Sequence, residues 1–301
     1  MAGNLAGKPI AMLGCDQREV DLAIALIGLG ADLRLVGFPQ VPSLKRALHF
    51  QVPAEAVRGA RAVIAPMSNT NMEGAITDRL DGSDEAIDLT ELIPLMSSGT
   101  PLLIGVAKPV VRGLSTKYGL RLVEIAEIDE LAILNSIPTA EGALQLAMEN
   151  TSITIHNSRC LVLGLGRCGT TIAHMLLALG AKVTVASRSG VELARAAVFG
   201  AERLELDNLH AAVDFDVIFN TIPAMVLPWS YLRLLKSNTV IIDIAASPGG
   251  TDFAAAEELG IKAIHALSLP GRVAPQTAGE ILVRTIPRLL ENLLGEEHHE
   301  T

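Results

Sequence analysis

The segment Val162–Gly169, VLGLGRCG, constrains this chain more than any other stretch. It follows a short apolar run, RCLVLG (Arg159–Gly164), and opens a helical pattern, RCGTTIAHMLLALG (Arg167–Gly180), that ends on a glycine. A second strand pattern, AKVTVASRS, comes next. Strand, Gly-x-Gly-x-x-Gly, helix, strand is the complete dinucleotide-binding unit. Its glycines allow a tight turn and let a pyrophosphate approach the free N–H groups at the helix start. The glycine pattern alone is weak, but its flanking elements predict an α/β fold with a doubly wound parallel sheet. Gly164, Gly166, Arg167, Cys168 and Gly169 are predicted to hold the dinucleotide.

Composition agrees with that class. Half of the 301 residues are hydrophobic and only 3% are aromatic, a mix suited to buried parallel strands under Ala-rich helices, and the length favours two domains. Lys and Arg number 24 against 33 Asp and Glu, for a net charge of -9. With no basic run, a general nucleic-acid or anionic-membrane surface is excluded, leaving small molecules as expected ligands. No apolar run reaches the length of a membrane span, and MAGNLAGKPIAML lacks the form of a signal peptide, so the reading is cytoplasmic. Cys15, Cys160 and Cys168 form neither a CxxC pair nor a zinc spacing, which predicts free thiols and no metal. Cys15 and Cys168 fall near helix starts but read as small packing residues.

The first half repeats the pattern at an offset of 150 residues. PIAMLG (Pro9–Gly14) answers to RCLVLG, and IGLGADLRLVG (Ile27–Gly37) answers to LALGAKVTVAS (Leu177–Ser187). In that register Asp16 stands opposite Gly166 and Glu19 opposite Gly169, placing acids where a pyrophosphate would be repelled. The first half is therefore expected to be Rossmann-like without binding a nucleotide. Strand patterns at Arg61–Pro66, Pro101–Val106 and Leu120–Ile125 complete its sheet. Residues 1–137 are expected to form a substrate domain and 138–274 the NADP-binding domain. A helix in 275–301 is expected to pack back on the first domain, with a cleft between the two sheets. A helix from about Thr139 to Asn150, starting after Pro138, is the expected crossing.

The adenosine ribose is read at the end of the second strand, where NAD enzymes usually place an acid. Here the residues are Ser187-Arg188-Ser189. A guanidinium fork between two hydroxyls suits a 2'-phosphate and points to NADP, the alternative being a solvated arginine after a strand. Later strand ends place Thr221, Pro223, Ala245, Ser247 and Leu269 around the ribose and nicotinamide, although turn chemistry explains many of these residue types.

Longer motifs are more specific than the fold. LNSIPTAEGALQLAM (Leu134–Met148), VLGLGRCGTTIA, NTIPAMVL (Asn220–Leu227), ASPGGTDF (Ala246–Phe253) and LPGRVAPQTAGEIL (Leu269–Leu282) together resemble the A-subunit family of dipicolinate synthase from endospore-forming bacteria. The likeness extends over nearly the whole chain, including GCDQRE (Gly14–Glu19). It implies an NADP-linked oxidation of a dihydrodipicolinate-type intermediate, derived from 4-hydroxytetrahydrodipicolinate of the lysine pathway, to pyridine-2,6-dicarboxylate during sporulation. It also implies a separate, flavoprotein-like polypeptide as partner, the dipicolinate synthase B subunit.

A planar dicarboxylate requires cationic or hydrogen-bonding contacts. Arg18 at the first turn, Ser68-Asn69-Thr70 after the strand Arg61–Pro66, and Lys108 after Pro101–Val106 occupy strand-end positions where ligands bind. Asn135 and Ser136, before the expected crossing helix, would offer its free N–H groups to a carboxylate, or else act as an ordinary cap. Arg272 is the candidate from LPGRVAP. Oxidation to an aromatic ring demands mainly alignment with the nicotinamide, and no catalytic acid or base is identified. Two other readings stand beside this one. A two-domain 2-hydroxyacid dehydrogenase would need a proton-shuttling histidine where Gln276 follows Pro275; His265 lies in a strand pattern. A non-catalytic NADP-binding component would leave the chemistry to its partner. A homo-oligomer is compatible with the sequence.

Overall fold

The structure, a computed structural model, describes residues 5–68 and 70–295. The chain divides into two compact units, one made of 1–131 with 275–301 and the other of 132–274. Each is a parallel α/β sheet, as the glycine-rich segment and its flanking patterns predict.

In the first unit the elements are β1 (Pro9–Leu13), α1 (Gln17–Gly28), β2 (Asp32–Val36), β3 (Leu48–His49), α2 (Pro53–Val57) and β4 (Ala62–Ile64). A small antiparallel pair follows, β5 (Ala75–Ile76) with β6 (Ile87–Asp88), then α3 (Leu89–Leu92), β7 (Pro101–Ile104), α4 (Pro109–Lys117) and β8 (Arg121–Glu124). The six-stranded sheet among the described residues has the order β3-β2-β1-β4-β7-β8. Strand side chains such as Ala11, Leu13, Val63, Leu102 and Ile104 are fully enclosed, as expected of parallel strands covered on both faces.

After α5 (Asp129–Asn150) the second unit continues with β9 (Arg159–Leu163), α6 (Arg167–Ala178), β10 (Lys182–Ser187), α7 (Gly190–Phe199), β11 (Glu202–Glu205) and β12 (Val217–Asn220). It ends with α8 (Trp229–Leu232), β13 (Val240–Asp243), α9 (Phe253–Glu258), β14 (Lys262–His265) and α10 (Leu269–Val273). Its order, β11-β10-β9-β12-β13-β14, is that of the first sheet. The likeness reaches the register: Pro9 pairs with Asp32 in β1–β2, and Arg159 with Lys182 in β9–β10, both members displaced by the same 150 positions. In both sheets the order reverses beside the first strand, which puts the ligand crevice at the carboxyl ends of β1 and β4 or of β9 and β12.

The last helix, α11 (Pro275–Gly295), belongs to the first unit and packs along α1. Its Gly279 permits the approach, since a Cβ there would stand 2.5 Å from Asp21 Oδ2. Lys8 Nζ donates to the Leu294 carbonyl at 3.1 Å near the other end of the helix. Among the described residues, no helix is long and apolar enough to cross a membrane.

One expected helix start is displaced. The crossing helix does not begin after Pro138 but at Asp129, so that Pro138 lies inside it. A proline removes one intrahelical donor and crowds the preceding turn. Here neighbouring hydroxyls occupy carbonyls of that turn: Ser136 Oγ donates to Ile133 O at 2.6 Å and Thr139 Oγ1 to Asn135 O at 2.7 Å. The proline therefore marks neither end of this helix.

Candidate functional site

The second unit builds an anion cradle at the end of β9. Gly164 adopts φ +81°, a left-handed conformation that only glycine takes without strain. A Cβ on Gly169 would run into the Gly164 carbonyl, and one on Gly164 would meet Thr221 Oγ1 at 2.8 Å. Gly166 differs, because an added Cβ there would enter open space. It is the N-cap residue of α6, with no side chain capping the helix. The cradle is therefore packed tightly on its protein side and open at the helix N-terminus, the form a pyrophosphate requires. Arg167 and Cys168 begin α6, and burial raises the Cys168 thiol above its ordinary range. Thr221 lies beneath the turn, its hydroxyl donating to Leu163 O at 2.8 Å.

Ser187, Arg188 and Ser189 form the turn between β10 and α7. Ser187 is buried, Ser189 is the N-cap of α7, and Arg188 extends into solvent, where its Nε donates to Asp207 Oδ1 at 3.2 Å. Both members of that pair are about three-quarters exposed, at 75% and 78%, so it contributes little to stability. Sequence reasoning missed Glu192 in the first turn of α7. Its Oε2 accepts from the Leu165 backbone N–H at 2.9 Å and the Ser187 hydroxyl at 2.6 Å. The Ser189-x-x-Glu192 spacing signals a helix start but not this diversion.

The loop after β13 is held by Asp243. Its carboxylate is fully buried and accepts from Ala245 N at 3.0 Å, Gly250 N at 2.9 Å and Thr251 Oγ1 at 2.7 Å. Ala245 is buried, whereas Pro223 and Ser247 are exposed. His265 Nε2 lies 3.0 Å from the Ala245 carbonyl, and the ring stacks on Phe253. Leu269 begins α10, and its side chain belongs to the buried core, against the position where Gly142 lacks a Cβ. Arg272 lies on the short helix α10, not in a loop, and is exposed.

The matching turn of the first unit is filled by its own chain. A Cβ on Gly14 would stand 2.5 Å from Ile76 Cγ2 and 2.8 Å from Asp78 O. Cys15 N donates to Asp78 O at 3.1 Å, and Leu80 N to Gly37 O at 2.7 Å. Cys15 is buried, which pushes its thiol far up. Asp16 caps α1, supplying an internal anion in the position a phosphate takes elsewhere.

Around Asp16 lies a compact polar cluster. Arg18 is nearly buried and grips both Asp16 oxygens, with Nη2 2.5 Å from Oδ2; the same nitrogen donates to Ser68 Oγ at 2.7 Å. Glu19 lies beneath, accepting from Asp16 N at 2.9 Å and Met67 N at 3.0 Å. Burial, then the adjacent Asp16 carboxylate, push Glu19 up to about 7. Partial burial opposes ionisation of Asp16 too, but hydrogen bonds from Arg18 and Glu19 hold it below the usual carboxylate range. Thr70 is buried with a hydroxyl that has no hydrogen-bond partner among the described residues. Asn69 lies outside the described residues. Lys108 is the half-buried N-cap of α4, before Pro109.

Asn135 and Ser136 correct an expectation. Both lie inside α5 and not before a helix start, so the N–H groups near them are engaged within the helix and cannot receive a carboxylate. Ser136 is buried, its hydroxyl 2.5 Å from Thr171 Oγ1 of α6.

Residues 9–126 match the N-terminal domain of the dipicolinate synthase A subunit, and residues 137–248 match the NAD binding domain of D-isomer specific 2-hydroxyacid dehydrogenases. The dipicolinate synthase A subunit of Bacillus subtilis strain 168 is 37% identical over 295 residues, covering 97% of this chain and 99% of that protein. The crystal structure of the A subunit from Bacillus halodurans is similar at 38% identity and TM-score 0.89, over 95% of this chain and 98% of that one. That of the dipicolinate synthase A chain from Bacillus subtilis gives 37% identity and TM-score 0.88, over 98% and 99%.

Proposed function

Because this chain belongs to the A-subunit family of dipicolinate synthase, we propose that it catalyses the NADP-dependent oxidation of a dihydrodipicolinate-type intermediate to pyridine-2,6-dicarboxylate during spore formation. The intermediate derives from 4-hydroxytetrahydrodipicolinate, a branch from the lysine pathway. The observation that carries the proposal is the 37% identity over 97% of the chain, since likeness of that extent includes both the substrate-side and the dinucleotide-side motifs. A second polypeptide, the B subunit of dipicolinate synthase, is the proposed partner.

The residues fit a nicotinamide dinucleotide. Gly164 and Gly169 keep the turn tight, while Gly166 and the start of α6 leave room and N–H donors for the pyrophosphate. When bound, the nicotinamide accepts a hydride, and aromatisation of the substrate ring favours the transfer. Arg188, exposed beside the β10 end, supplies a permanent charge for a 2'-phosphate and would exchange Asp207 for it. Ser187 and Ser189 shape that turn. Arg18, Ser68 and Thr70 are the proposed contacts for substrate carboxylates, with Lys108 as a further cation.

A 2-hydroxyacid dehydrogenase reading is less well supported. Gln276, standing after Pro275 at the start of α11, donates to Glu280 at 3.3 Å and cannot shuttle a proton. His265 lies against a backbone carbonyl and Phe253. The deciding experiment supplies the purified chain with NADP and enzymatically generated 4-hydroxytetrahydrodipicolinate. The proposal expects NADPH together with the ultraviolet absorbance of dipicolinate. Turnover only after the B polypeptide is added would instead make this chain half of a shared site.

A further inference from the structure

The glycine-rich turn and the β10–α7 turn are joined by one carboxylate. In a capping box the third helical residue reaches back to the backbone N–H of the N-cap, as Glu19 does to Asp16 N at 2.9 Å in α1. Ser189 and Glu192 have the spacing for the same arrangement, and Ser189 Oγ does accept from Glu192 N, at 3.4 Å. The reciprocal bond is missing because Ser189 N donates to Ser187 Oγ at 2.9 Å. The Glu192 carboxylate is thereby released from its own helix and lies between Leu165 N–H and the Ser187 hydroxyl.

These two turns are the segments that a dinucleotide contacts with its pyrophosphate and its adenosine ribose. The strand end itself carries no acid, since β10 finishes at Ser187 and continues into Arg188. Half-buried Glu192 supplies from the helix the carboxylate that the strand lacks. We propose that Glu192 reads the adenosine ribose, accepting a hydrogen bond from its hydroxyls, and is a specificity-determining residue that opposes Arg188 in the choice between NAD and NADP. A carboxylate attracts ribose hydroxyls and repels a 2'-phosphate, whereas the guanidinium has the opposite effect. Asp207, paired with Arg188 at 3.2 Å, adds to the same opposition. The inference rests on the second unit binding a nicotinamide dinucleotide and not on the identity of the substrate.

The test is calorimetric titration of NAD and NADP, separately, into the full chain and its variants, with melting temperature as a control for folding. Glu192→Gln keeps the shape and can still accept from Leu165 N–H, but it removes the charge. We expect it to shift the ratio of the two dissociation constants toward NADP by about three- to tenfold, in line with loss of one nearby, partly screened like charge. Glu192→Ala, which also removes the link between the turns, should weaken both dinucleotides while shifting the ratio in the same direction. An unchanged ratio in both variants would make Glu192 a structural latch only and overturn the proposal. Arg188→Asp, measured alongside, separates this result from the NADP assignment. A ratio that moves with Glu192 but not with Arg188 leaves Glu192 as the ribose reader and removes the 2'-phosphate role of Arg188.

Discussion

Arg18 Nη2 and Ser68 Oγ, fifty positions apart in sequence, lie 2.7 Å from one another. The bond joins the turn after β1 to the segment after β4, the two exits flanking the point where strand order reverses. Substrates of doubly wound sheets bind at such points. The same guanidinium is already neutralised by Asp16, so an incoming carboxylate has to share or replace that partner.

Ser68→Ala should therefore raise the apparent Michaelis constant for the dicarboxylate and leave dinucleotide affinity unchanged. Thr70 allows a sharper version. Its buried hydroxyl has no partner among the described residues, so Thr70→Val should stabilise the fold by about 1 kcal/mol while also raising the Michaelis constant. Greater stability with unaltered kinetics would place the substrate elsewhere.

Arg188→Asp should weaken NADP binding more than tenfold and spare NAD, because it replaces the exposed cation at the β10 end with a like charge for a 2'-phosphate. Titration of both cofactors checks this. Equal losses would mean that Arg188 does not contact the phosphate.

Two glycines of one turn should respond differently to alanine. At Gly166 the methyl group enters open space, so the melting temperature should hold while both NAD and NADP lose affinity more than tenfold. At Gly169 it meets the Gly164 carbonyl. Binding should fall there too, with a loss of about 2 kcal/mol of stability, or several degrees of melting temperature.

Glu19 gives the fold a pH dependence of predictable sign. Its folded pKa, about 7, lies above the ordinary 4.5, so the folded state binds the proton more tightly than the unfolded state does. That stabilisation is complete below pH 4.5 and is lost as pH rises through about 7. Asp16, held low by Arg18, acts oppositely, its contribution being lost as pH falls through its lowered value. Urea unfolding at a series of pH values should show a decline between pH 4.5 and 7 that Glu19→Gln flattens. Parallel curves for the two proteins would show that Glu19 carries no such proton.

Much of this protein was legible in its sequence because the determining signals are local. A strand, three glycines and a helix lie within a single short stretch, and the same spacing repeated 150 residues earlier predicts the second sheet. Acids opposite the phosphate glycines mark the altered turn, and the longer motifs carry the family. What only tertiary structure decided involves partners brought together by packing. Pro138 lies within a helix that begins at Asp129, although its spacing alone predicts a start after the proline. Asp78 and Ile76 fill the first turn from more than sixty positions away. Glu192 leaves its expected cap because Ser187 has taken the N–H it would have bonded, and it turns to Leu165 across the sheet order. Residue spacing determines which groups a helix or strand can offer, but which competing donor reaches a carboxylate first is settled only when the turns are packed side by side.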